Sequence, residues 1–83
     1  MIVDLIPLAF VEQMLTENWI AEAKPYLSDK PMQKLIVVWK EFVEPGLDAT
    51  CGLCLGRILE NYKQLQDQLI AKVYDNNLLN ASN

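Results

Sequence analysis

The stretch from Cys51 to Tyr74 constrains the fold most. It contains no proline, and Cys51, Leu55, Ile58, Tyr62, Leu65 and Leu69 follow one another at alternating steps of four and three. That spacing is a heptad seam, which draws one apolar line along one side of a single long helix. At roughly 1.5 Å per residue the helix would be about 35 Å long. Thr50 is the expected cap at its start. Asp75-Asn76-Asn77 is the expected stop, leaving residues 78–83 as a loose tail. Lys63 and Asp67 lie one turn apart on the outer side and are spaced to pair, an interaction of about 0.2–0.5 kcal/mol.

The rest of the chain is divided by proline. Lys24-Pro25, Ser28-Asp29-Lys30-Pro31 and Glu44-Pro45-Gly46 are turn or helix-boundary signals, because the residue before each proline is pushed away from helical angles. They leave two further helical segments. The first spans about Leu5 to Ala23, with Asp4 as cap and Pro7 tolerated in the first turn. Its apolar face holds Leu8, Val11, Leu15 and Trp19, widened by Phe10, Met14 and Ile20. Thr16, Glu17 and Asn18 read as an alternative start, which would split this segment in two. The second spans about Lys30 to Val43, capped by Ser28 or Asp29, with Met32, Leu35, Ile36, Trp39, Phe42 and Val43 at helical period. Ile36-Val37-Val38-Trp39 alone has strand character. No second strand-like run exists to pair with it, so helix is expected there too. The fold class expected is therefore all-α: a small three-helix bundle, four if the first segment breaks, occupying residues 1–77 as one domain.

With 83 residues, a chain buries only about 60–65% of its unfolded surface. A helix longer than its two neighbours would also leave part of its seam uncovered. Both points lead to the expectation that Leu55, Ile58, Tyr62, Leu65 and Leu69, with Trp39, form an interface to a second copy or to another protein. A seam of about 500 Å² contributes on the order of 12 kcal/mol gross, before ordering and association costs. Both tryptophans also lie on apolar stripes, where a small core needs volume.

The net charge is −4 and there is no histidine. This disfavours imidazole catalysis and electrostatic binding of nucleic acid. Residues 1–48 hold eight acids and four bases, whereas residues 49–83 hold three of each. No stretch is long and apolar enough to suggest a membrane span. The apolar start, Met1 to Phe10, has no basic region and is interrupted by Asp4 and Pro7, so it reads as part of the fold. Glycine-rich phosphate loops and nucleophile elbows are absent. The expected class is a non-enzymatic cytoplasmic protein. Asn80-Ala81-Ser82 matches a glycosylation acceptor, a chance match in that setting.

Cys51-Gly52-Leu53-Cys54 admits three readings. At a helix start, open N–H groups favour a thiolate at Cys51, the condition for thiol–disulfide chemistry. That chemistry is usually housed after a strand, and none is expected upstream. Zinc wants four ligands, and two thiols without histidine complete a site only across two chains or with a carboxylate such as Asp48. Packing is the third reading, since cysteine behaves as a small hydrophobe and Gly52 and Gly56 would allow another backbone close by. The two cysteines, few and close together, fit a reducing compartment. Arg57 is the only arginine. Its fork suits a carboxylate or phosphate of a partner, or a small ligand held between subunits, although pairing with Glu60 or Asn61 is the commoner outcome.

The segment Trp39–Tyr62, with Pro45, Cys51, Cys54 and Arg57 in order, resembles short helical proteins encoded by phages, in which a C-x-x-C opens a long final helix. The resemblance implies a setting among accessory virion components or binders of host factors. It implies a setting and not an activity, and transfers no functional residue; no cofactor is expected beyond the zinc alternative above.

Overall fold

The computed structural model describes residues 1–81, with side chains through Asn76. It is all-helical, with no strand among the described residues. A short 3-10 helix, Ile2–Leu5, is followed by α1 (Leu8–Thr16), α2 (Trp19–Glu22), α3 (Lys30–Phe42) and α4 (Gly52–Ala81). The molecule measures 45 × 24 × 18 Å. Its long axis matches α4, whose 30 residues at roughly 1.5 Å each make one rod.

The first segment breaks, as its alternative reading allowed. Asn18 adopts a left-handed conformation, φ 56° and ψ 38°. Asparagine tolerates this region better than most non-glycine residues. Its N–H donates to the Leu15 carbonyl, while its own carbonyl accepts from Glu22. One residue thus ends α1 and begins α2, and the turn brings Trp19 and Ile20 together into the core. Asp4 does not cap this helix. It lies in the 3-10 helix, 3.4 Å from the terminal ammonium of Met1, and Pro7 stands at the α1 start, its carbonyl accepting from Phe10 and Val11.

Asp29 caps α3 as expected: its Oδ2 accepts the Met32 N–H at 2.9 Å. The same oxygen accepts the Lys24 N–H at 3.0 Å, so one carboxylate both starts α3 and closes the loop from α2. Ile36 to Trp39 are helical, and the 3.6-residue pattern prevails over their strand preference.

Three expectations about α4 are corrected. Thr50 is not its cap, because the Thr50 N–H and hydroxyl both donate to Asp48 Oδ1, at 2.9 and 2.6 Å. Cys51 immediately precedes the helix, and its Sγ accepts the Cys54 N–H at 3.2 Å. Nor do Asp75, Asn76 and Asn77 stop the helix, which continues to Ala81. For residues 82 and 83 the loose-tail expectation lies outside the described residues, as does the side-chain setting of Asn80-Ala81-Ser82.

The third correction concerns the seam. Leu55, Ile58, Tyr62 and Leu69 are buried within this single chain, Leu65 is half-buried against the same core, and Trp39 is buried opposite them. The tyrosine and tryptophan rings meet edge to face at 5.1 Å, and the Tyr62 hydroxyl donates to the Leu35 carbonyl of α3 at 2.7 Å. These residues are the interior and not an interface. The expectation of an uncovered seam left out the chain's first residues. The 3-10 helix lies against α4, with Val3 and Ile6 buried and Lys72 donating to their carbonyls at 2.9 and 2.6 Å.

Candidate functional site

With the seam enclosed, exposed apolar surface gathers elsewhere. Tyr26, Leu27 and Val37 are 63%, 50% and 61% exposed, and all three line one shallow groove of about 180 Å³. Its floor is the Met32, Ile36 and Leu55 side chains. The Tyr26–Leu27 wall is held to α3 by Gln33, whose Nε2 donates to the Leu27 carbonyl at 2.7 Å. On the other side of Gln33 and Val37 lies a second groove, about 320 Å³, walled by Phe10, Trp19, Lys34 and Val38. Val37 is thus a ridge between two apolar furrows, on a helix face left exposed among the described residues.

The charge of this face opposes that of the whole chain. The helix α3 carries Lys30, Lys34 and Lys40 against Glu41 alone. The acidic excess of residues 1–48 therefore belongs to the other elements and the turns. Lys34 extends over the Trp19 ring, its Nζ 5.2 Å from the centroid. This cation–π contact fixes a positive charge at the rim of the second groove. Neither groove is lined by an acidic residue.

Within the chain, Arg57 pairs with Glu44 and not with Glu60 or Asn61. Its Nη2 donates to both oxygens of Glu44, at 3.1 and 3.3 Å. Glu44 Oε1 also accepts the Trp39 indole N–H at 3.2 Å. The hydrogen bond from Trp39, then that from Arg57, holds the Glu44 carboxyl below the usual glutamate range. Glu44 thereby ties the end of α3 to the second turn of α4. Asp48 is likewise held below its ordinary range, by the hydroxyl and N–H of Thr50. Burial pushes the Tyr62 phenol far up, so it remains a neutral donor. Lys63 and Asp67 form no ion pair among the described residues.

Cys51 and Cys54 are joined as a disulfide. Cys51 is not part of the seam, since it precedes the helix that carries it. Cys54 packs half-buried against the core, in part as the packing reading had it. No atom comes within 4 Å of where a side chain on Gly52 or Gly56 would begin, so the close backbone approach expected there does not occur within the chain. A zinc site shared by two chains requires free thiolates, whereas both sulfurs are bonded to each other here. Among the described residues, no three His, Cys, Asp or Glu side chains gather as a metal cluster, and no helix is long and apolar enough to cross a membrane.

In comparison with known proteins, no family model, no curated protein and no solved structure matches this chain.

Proposed function

We propose that this chain is a protein-binding module whose α3 face receives an amphipathic, acid-flanked helix of another protein. One observation carries the reading: three exposed apolar side chains, Tyr26, Leu27 and Val37, converge on a furrow with no acid among its described lining residues, and Lys34 lines the neighbouring furrow across Val37. An apolar stripe entering such furrows meets hydrophobic walls, while glutamates or aspartates on its flanks meet Lys30, Lys34 and Lys40. Two α3 faces brought together would instead oppose lysine to lysine, which favours a different, acidic partner over a second copy. Full burial of one large apolar side chain contributes roughly 1.5–3 kcal/mol, against association costs of about 4–15 kcal/mol. A few such anchors give a weak, reversible complex. The likeness of Trp39–Tyr62 to phage-encoded helical proteins fits an accessory component or a host-factor binder. The reading requires no catalytic step and no cofactor.

A synthetic helical peptide tests it: leucines at helical spacing flanked by glutamates, titrated into the labelled protein while backbone amide resonances are followed. The expected result is saturable binding, with shifts confined to α3 and the Tyr26–Leu27 loop and weakened by salt. Val37→Ser should reduce the affinity with little change in the melting temperature, and Lys34→Glu should reduce it while also losing the Trp19 contact. Equal binding of a lysine-flanked version, or shifts that ignore Val37→Ser, would contradict the proposal.

A further inference from the structure

A second feature, independent of the α3 face, is the Cys51–Cys54 disulfide at the mouth of α4. The two sulfurs occupy different environments. Cys54 leans on the hydrophobic core, whereas Cys51 stands outside the helix and accepts the Cys54 N–H at 3.2 Å. The surroundings are open: Leu53 between them is 94% exposed, and among the described residues no other element packs on Gly52 or Gly56. Both cysteines are only half-buried, so a reactant reaches the pair without unfolding.

The geometry points to a thiol–disulfide exchange site whose reactant is a disulfide, or in the reverse direction a dithiol, with Cys51 as the attacking sulfur and Cys54 as the resolving one. In the reduced protein a negative charge on Cys51 Sγ is met by the Cys54 N–H, which the Cys51 carbonyl shares, and it lies at the positive end of α4. The Cys51 thiolate attacks one sulfur of the reactant disulfide. A mixed disulfide forms at Cys51, the reactant's S–S bond breaks, and its second sulfur departs as a thiolate. Cys54 gives its proton to solvent and attacks Cys51 Sγ. The Cys51–Cys54 bond forms and the reactant's remaining sulfur leaves as a thiolate. Both departing sulfurs take protons from water at neutral pH. The protein's dithiol has been oxidised by two electrons, and the reactant disulfide has been reduced to two thiols.

Charges near the pair are compatible with this division of roles. Arg57, one turn after Cys54, is engaged with Glu44, and the Asp48 carboxylate is bound by Thr50. The contact that distinguishes the two sulfurs is the Cys54 N–H on Cys51 Sγ.

Oxidised glutathione is the probe. The full chain, reduced by dithiothreitol and freed of it, is mixed with oxidised glutathione, quenched by alkylation at intervals and read by mass spectrometry. Far-UV circular dichroism confirms that each variant is folded. The expected result for the unaltered chain is return to the intrachain disulfide through a transient glutathione adduct. In Cys54→Ser the adduct should accumulate on Cys51, at least about tenfold faster than the adduct on Cys54 accumulates in Cys51→Ser, as expected for a more ionised attacking sulfur. Equal adduct rates on the two folded variants, or faster reaction at Cys54, would overturn the assignment. So would a reduced chain that oxidised glutathione leaves unoxidised.

Discussion

At Tyr62 one side chain closes the core both by shape and by polarity. Its ring packs on Trp39 and its hydroxyl reaches the Leu35 carbonyl across the helix interface, so no buried polar side-chain atom among the described residues is left without a partner. Tyr62→Phe keeps the ring and removes the donor. The expected loss is about 1 kcal/mol, or roughly 4–8 °C in melting temperature for a domain of this size. A thermal melt followed by circular dichroism checks it, and an unchanged melting temperature would show that the hydroxyl bond contributes nothing. That Tyr62 belongs to an apolar line was legible from its heptad position. That its hydroxyl would find a carbonyl on α3 was not, because the partner is set by how two helices cross. The same limit hid the pairing of Glu44 with Arg57: Glu44 lies beside a Pro-Gly turn, and only the return of α4 brings Arg57 to it.

Among the elements, α3 was the most legible and α4 the least well bounded. Asp29 followed by Pro31 in the first turn, then apolar residues at helical spacing, fixes the start of α3 through a local hydrogen bond that the sequence itself specifies. Asp29→Ala removes the acceptor shared by Met32 and Lys24. It should destabilise the fold by about 1–2 kcal/mol, the upper part of the range for a lost cap. Urea unfolding measures this, and Asp29→Asn should recover much of the loss. The start of α4 was misread because Thr50 and Cys51 compete for the cap. Asp48 takes up Thr50 in a tight turn, leaving the Cys51 sulfur to share the Cys54 N–H with the Cys51 carbonyl. The candidate docking face was missed for a related reason. Charge counted over residues 1–48 is acidic, while α3 alone is basic, and only its exposed side shows Val37 as a ridge.

For the molecule as a whole, the decisive question was what covers the α4 seam. A long amphipathic helix beside shorter ones suggested a missing partner, but this reasoning gave the first seven residues no covering role. They fold back along α4, bury Val3 and Ile6 and are fastened through Lys72. A fold whose seam is filled by its own chain unfolds in a unimolecular step, whereas one completed by a second copy gains stability with concentration. The melting temperature measured across a wide dilution series separates the two. A constant value with full helicity at the lowest concentration is the predicted result. A melting temperature that falls on dilution, with helicity lost as the sample is thinned, would contradict the account and return the seam to an intermolecular interface.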